Sequence, residues 1–362
     1  MTPGTSSLPT PSRRFRSSSL WITGQDDNIG DSLLRRPYAR AFAERAPLAV
    51  WVREASDDFI TGLRLDEHAT VDRSWSRWYG RSFAAALRGR ALVGINAGEM
   101  RVSARGALKL LALLPLLATT RARRGRAVWI GAEVPRTSRR LRGIYRIASR
   151  ATSPLSWRES ESREQMGRGA VTADWAFSEG TTSSEWTPRA DRDLLAVVLR
   201  GDRDFPAEQW WRWVRQTADQ LSLTPTVVVQ VRRDSAHAQR AAREYGFDVV
   251  EWPEDTVHWD QETVVRAAYS RALVTIGDRL HGLVVAATEG SVPLGWVTSS
   301  TGKTGRHFRT VGLDFPSLHE GSSAADLPVV DGDAVDVWRA ELRSAVDTAR
   351  TQITALVASL DA

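Results

Sequence analysis

Short apolar runs of four to six residues alternate with longer stretches in which apolar side chains recur three and four positions apart, from about residue 20 almost to the end of the chain. Continuous apolar runs of that length read as buried strands and the longer period reads as helices, so the pattern predicts α/β units around parallel sheets. In the first half, strands are predicted at Leu20–Thr23, Ala49–Val52, Ala91–Ile95, Ala127–Ile130 and Leu155–Arg158. Helices fall near 31–45, 74–88, 104–119 and 138–149, with a short one at Glu161–Met166 and the segment Ala173–Phe177 closing the half. Residues 178–192 are polar and turn-rich with no apolar period, which puts a domain boundary there. The second half repeats the scheme, with strands at Leu194–Leu199, Thr226–Val231, Asp248–Trp252, Ala272–Ile276 and Val292–Val297 and helices near 206–221, 235–245, 260–271 and 279–289. A long amphipathic pattern from about Asp333 to Leu360 ends the chain. The expected architecture is α/β: two doubly wound Rossmann-like lobes, residues 20–180 and 190–330, facing a central cleft, with residues 331–362 as a helix across both. Residues 1–19, rich in Ser, Thr, Pro and Arg, read as a disordered tail.

Charge divides along the same boundary. Within an overall charge of +6, residues 1–150 carry about +15 and residues 151–362 about −9. A basic lobe suits an anionic membrane surface or a phosphorylated acceptor. Nucleic acid is not an expected partner, because the basic residues are scattered and no reader motif accompanies them. The longest apolar stretch, Leu110–Ala118, falls far short of the roughly 20 residues that span a bilayer, yet arginines flank it on both sides. A core helix with solvated basic ends fits this, and so does peripheral contact of a cytoplasmic protein with the anionic inner face of the membrane. With no cysteine, thiolate catalysis, Cys-ligated zinc and iron–sulfur chemistry are excluded. No H-E-x-x-H or G-x-S-x-G pattern occurs, and neither a metal nor a cofactor is expected. Of the 15 tryptophans, those at helical spacing, such as Trp75, Trp78, Trp210, Trp211 and Trp213, read as packing.

Three segments carry candidate chemistry. Gly24–Asp31 (GQDDNIGD) joins a predicted strand to a predicted helix, where free backbone N–H groups meet a ligand. Its three aspartates would repel a pyrophosphate, and Asp31 fits either a ligand contact or a plain helix N-cap. Ile276–Gly282 (IGDRLHG) repeats the geometry, with Arg279 and His281 in the first turn, a permanent cation and a titratable imidazole where an anion would bind. Ser299–His307 (SSTGKTGRH) approaches a phosphate-binding loop, but Val297 stands where the first glycine is needed, leaving Lys303 either as a single phosphate or carboxylate contact or as a solvated lysine of a glycine-bearing loop. Arg200 follows a predicted strand and so points to the ligand crevice; Arg232, in the equivalent place, is assigned to the surface.

These residues resemble the polysaccharide pyruvyl transferase family. The likeness rests on Asn28-Ile29-Gly30-Asp31, on Ala173-Asp174-Trp175-Ala176-Phe177, and on Gly277-Asp278-Arg279-Leu280-His281 with Lys303 and Val311-Gly312-Leu313 downstream, over roughly residues 20–315. It implies a glycosyltransferase B type fold and transfer of pyruvyl from phosphoenolpyruvate to a saccharide acceptor as a cyclic ketal, on a precursor of cell-surface polysaccharide. On that reading, Arg200, Arg279 and Lys303 bind the donor's phosphate and carboxylate, and His281 is the general acid. Asp31 orients or deprotonates the acceptor, and Asn28, Gly30 and Leu280 complete the substrate site. The second lobe would hold phosphoenolpyruvate, and the basic first lobe suits a lipid-linked acceptor. The rival reading is a glycosyltransferase of the same architecture that uses a nucleotide sugar.

Overall fold

The computed structural model describes residues 14–297, 302–314, 317–319 and 327–362. The first lobe runs β1 (Ser17–Trp21), α1 (Ile29–Ala43), β2 (Leu48–Trp51), α2 (Asp57–Leu63), β3 (Thr70–Asp72), α3 (Trp75–Arg88), β4 (Ala91–Gly94), β5 (Gly98–Glu99), α4 (Ala104–Ala122), β6 (Arg126–Glu133), α5 (Arg139–Arg150), β7 (Leu155–Trp157), α6 (Ser160–Met166) and β8 (Ala170–Val171). Its strand order is β3-β2-β1-β4-β6-β7-β8, with β5 beside the end of β6 and every pairing parallel. Three 3₁₀ turns between Trp175 and Asp191 lead into the second lobe: β9 (Leu194–Val198), α7 (Glu208–Gln220), β10 (Thr224–Val228), α8 (Ser235–Tyr245), β11 (Asp248–Val250), α9 (His258–Arg271), β12 (Ala272–Gly277), α10 (Leu280–Thr288), β13 (Val292–Val297), α11 (Lys303–Arg309) and β14 (Ser317–His319). This sheet is also all parallel, in the order β11-β10-β9-β12-β13-β14. The chain ends in α12 (Gly332–Ala358).

The tail read as residues 1–19 is shorter than expected. β1 begins at Ser17 because it is the central strand, paired with β2 on one side and β4 on the other. The Ser18 hydroxyl donates to the Phe42 carbonyl at 3.0 Å, and Phe15 is already buried. Backbone pairing on both edges outweighs the polar side chains that made this stretch look unstructured. Residues 1–13 lie outside the described residues. The apolar pattern also gives no sign of α2 and β3. The first is a seven-residue helix started by the Ser56 cap on the Phe59 N–H at 3.1 Å, the second a three-residue edge strand against β2.

Alternate side chains of the first sheet enter two different cores. Trp21, Trp51, Val93 and Trp129 face the layer made by α3, α4 and α5. Leu20, Val50, Leu92 and Val128 face α1, and their core continues without a break into the second lobe. α12 crosses both lobes with a stripe of Val335, Leu342, Val346, Ala349, Ile353 and Leu356. At its start Asp336 pairs with Arg189; past its end Asp361 pairs with Arg45, and the Ser359 carbonyl accepts from Arg126 of β6 at 2.6 Å.

Strand order reverses between β1 and β4 in one sheet and between β9 and β12 in the other, and a doubly wound sheet opens a crevice beyond the strand ends at such a point. At the second reversal a Cβ on Gly277 would lie 2.0 Å from the Val198 carbonyl oxygen, so only glycine lets β12 end against β9 there.

Candidate active site between the lobes

The two strand-to-helix turns singled out in the sequence meet across the seam. Asn28 pairs with Val231 as an antiparallel bridge, and the Arg232 N–H donates to the Asp27 carbonyl at 2.9 Å. Arg233 pairs with Asp27 at 2.7 Å and Arg232 with Asp58 at 3.1 Å, so Arg232, assigned above to the surface, ties the lobes together. The cap of α1 is Asn28 rather than Asp31: its Oδ1 accepts from the Gly30 N–H at 3.0 Å. Gly30 lies directly against His281, where a Cβ would come within 2.5 Å of the histidine Cβ. Asp31 accepts from the Gln25 N–H at 2.8 Å and from Arg35 at 2.7 Å. Burial pushes its carboxyl up, but Arg35 and then His281 more than offset this and hold it below the ordinary aspartate value. With both oxygens engaged, Asp31 orients its surroundings rather than acting as a free base.

His281 occupies the first turn of α10, and its Nε2 lies 3.3 Å from a terminal nitrogen of Arg158 and 3.6 Å from Asp174 Oδ2. An arginine only donates and a carboxylate only accepts. A bare Nε2 therefore takes a hydrogen bond from Arg158, and a protonated Nε2 finds its acceptor in Asp174. The ring nitrogen thus lies between a fixed donor and a carboxylate, a setting that suits an imidazole in general acid–base work. Behind it, Arg158 donates to Asp174 at 2.7 Å and to Glu133 at 3.0 Å, all three side chains being almost fully buried. Burial pushes both carboxyls up, but Arg158 outweighs it and holds each well below the ordinary range. Lys303 Nζ lies 3.0 Å from Glu133 and also pairs with Glu99. His307, buried against the same group, is pushed down to about 3, by burial first and then by the Arg158 charge.

Of the expected donor cations, Arg200 and Arg279 come together around Asp278, whereas Lys303 joins the Glu133 cluster instead, and each is already held by carboxylates. Arg279 turns away from His281 and grips Asp234 through two hydrogen bonds, at 2.7 and 2.5 Å. Arg200 forks onto Asp202 at 2.8 and 2.7 Å, and Lys303 is neutralised by Glu99 and Glu133. Lys303 is also not in a loop, since it opens α11; Ser299, Ser300 and Thr301 lie outside the described residues. Leu280, half-buried, packs against the core of the second lobe. Arg200 and Arg203 do line a small open depression at the β9–β12 reversal, with Leu199, Asp204, Pro206, Asp278 and Trp296. Asp278 there accepts from the Arg200 N–H at 2.8 Å and pairs with Arg203 at 3.1 Å. Burial pushes its carboxyl up to about 6 despite these partners.

Arg158, Glu133 and His307 were not singled out in the sequence. Arg158 carried the same signal as Arg200, an arginine at the end of a predicted strand, and Glu133 is the only carboxylate between residues 100 and 158. Among the described residues, no group of three or more His, Asp and Glu side chains could hold a metal ion.

No protein-family model matches the chain, and no curated protein matches it. Solved structures do. HepE of Anabaena in complex with UDP superposes with a TM-score of 0.53 at 12% identity, covering 96% of this chain and 97% of that one. The O-GlcNAc transferase of Thermobaculum terrenum gives 0.52 at 14% identity, over 100% of this chain and 69% of that one. The fold is of the glycosyltransferase B type. S. aureus MnaA, solved with UDP, shares this two-lobed architecture at a TM-score of 0.50 and 11% identity, over 92% and 91% of the two chains. In a glycosyltransferase B fold built like this one, the seam holding Asp31 and His281 joins the two lobes, and the Arg200–Arg203 depression lies at the strand-order reversal of the second lobe.

Proposed function

We propose that the chain is an enzyme that transfers a glycosyl group from a nucleoside-diphosphate sugar to a saccharide acceptor, with His281 handling the acceptor's proton. The observation that carries this reading is the depression lined by Arg200, Arg203 and Trp296 at the β9–β12 reversal, where a doubly wound lobe takes its ligand. Arg200 and Arg203 suit a diphosphate that displaces Asp202 and Asp278 as their partners, and an indole suits a base or sugar face. UDP is the ligand named for HepE and for MnaA, which share the fold. The acceptor hydroxyl attacks the anomeric carbon, the bond to the diphosphate breaks, and the hydroxyl proton passes to the His281 imidazole.

Pyruvyl transfer is the second reading, and one specific observation favours it. The residues that carry the family resemblance, Asn28–Asp31, Asp174, His281 and Lys303, lie far apart in the chain and join one connected cluster. There, protonation of the methylene carbon of phosphoenolpyruvate would accompany attack by two sugar oxygens on the central carbon and loss of phosphate. A lipid-linked acceptor suits either donor, given the basic first lobe.

Thermal midpoints with UDP, phosphoenolpyruvate and inorganic phosphate test the donor, because a ligand that binds only the folded state raises the midpoint. We expect UDP to raise it in the wild type and much less in Arg200→Ala, and His281→Ala to keep the UDP shift while losing about 10²–10⁴-fold in turnover. A shift with phosphoenolpyruvate and none with UDP would replace the first reading by the second.

A further inference from the structure

Helices α3, α4 and α5 lie side by side over the outer core of the first sheet, the face turned away from the core shared with the second lobe. Together they contain eleven Arg and Lys and not one Asp or Glu. Among the described residues, only one of the eleven, Arg81, has an ion-pair partner, Asp72. Arginines at the seam are used differently: Arg36, Arg158, Arg266 and Arg279 are all paired. The outer face of α4 adds an apolar stripe at helical spacing, Leu108, Leu111, Ala112, Pro115 and Ala118, all exposed, with Leu108 at 67%. The one charge inside that span, Lys109, is folded back over the Trp51 ring at 4.5 Å and leaves the stripe uninterrupted. Arg105 precedes the stripe and Arg121 and Arg124 follow it, all exposed. Leu87 of α3 and Ile147 of α5 extend the exposed apolar surface on either side.

We propose that the α3–α5 face docks on an anionic lipid bilayer, with the α4 stripe entering the headgroup boundary and the surrounding arginines meeting lipid phosphates. An apolar stripe between unpaired cations matches such a surface in both of its properties, hydrocarbon below and negative charge above. A second copy of the chain does not fit, because it would bring eleven cations against eleven. α4 follows directly on β5, whose Glu99 pairs with Lys303 of the seam cluster.

Sedimentation of the full chain with vesicles tests this. We expect binding to vesicles of phosphatidylcholine containing about one third phosphatidylglycerol, none to phosphatidylcholine alone, and a fall of at least about tenfold between ~0.05 and ~0.5 M salt. The double variant Leu108→Ser with Leu111→Ser should lower the partition about tenfold at low salt, with an unchanged thermal midpoint because both side chains are already exposed. Arg121→Glu with Arg124→Glu should lower it by at least as much, and Arg240→Glu, on the surface of the second lobe, should leave it as in the wild type. Equal binding to both vesicle types, or partition unchanged in both double variants, would overturn the proposal. So would failure to bind vesicles together with RNA binding that the serine variant retains, which would assign the face to nucleic acid.

Discussion

His281 stands between a group that only donates and a group that only accepts, and the side chains around it also set how stability depends on pH. His307 is held neutral with its titration near 3, whereas the unfolded chain takes up that proton near 6.5. Stability from this group is therefore lost as pH falls below about 6.5, at up to about 1.4 kcal/mol per pH unit. Asp278 acts in the opposite sense. Titrating near 6 when folded and near 3.8 when unfolded, it adds stability as pH falls through 6. The two slopes oppose each other between about pH 6 and 4.5, above the range in which the depressed carboxyls of Glu133 and Asp174 become protonated. Asp278→Asn keeps an acceptor for the Arg200 N–H but removes the compensation. We expect its urea-unfolding free energy to drop by about 1.5 kcal/mol more than the wild type's between pH 6 and pH 4.5. Equal drops in the two proteins would show that Asp278 and His307 do not oppose each other in this way.

At the scale of the element, the first turns of α1 and α10 are brought together by one glycine. A methyl group on Gly30 would meet the Cβ of His281, which is fixed to the backbone of α10 and cannot rotate away. Gly30→Ala should therefore separate the two turns, cost about 1–3 kcal/mol in stability and lower turnover by shifting the imidazole from Asp174. Equilibrium unfolding and steady-state kinetics on the same preparation check this, and an alanine variant with wild-type values for both would mean that the turns are not in functional contact. The same scale explains why these turns were legible. Each follows a buried parallel strand and opens a helix, and the local pattern, strand then Gly and Asn or Asp then helix, marks such a junction without knowledge of the partner. β3 and α2 escaped because three and seven residues hold too few periods for a pattern, and their positions depend on β2 and on the Ser56 cap.

Across the whole molecule, one core spans both lobes, and α12 is tied to the connecting segment by Arg189, to the second lobe by Arg339 on the Gly290 carbonyl, and to the first by Arg45 and Arg126. Buried charge reinforces the joint: Arg36 of α1 pairs with Glu262 of α9 at 2.7 Å and with Glu179 of the connecting segment at 3.1 Å. Such a pair adds little net stability against apolar packing but resists being broken one partner at a time. The lobes should accordingly unfold together. Calorimetry of the full chain is expected to show a single transition whose calorimetric and van't Hoff enthalpies agree. Two resolved transitions would mean that the shared core does not couple the lobes.

The order of the longer strands and helices and the two glycine-bearing turns were determined by sequence alone, because strand and helix periods and turn chemistry are local properties. Which charges meet was decided only by the tertiary structure. Arg279 and His281 stand two residues apart at the start of one helix, yet one reaches Asp234 and the other Asp174, since Arg279 precedes the helix with extended backbone while His281 lies in its first turn. Arg158 and Glu133 became the centre of the site through partners 16 and 25 residues away, and through the Lys303 that reaches them from the other lobe. A cation in a sequence shows that charge is available. Where that charge is spent depends on which carboxylate the fold buries beside it.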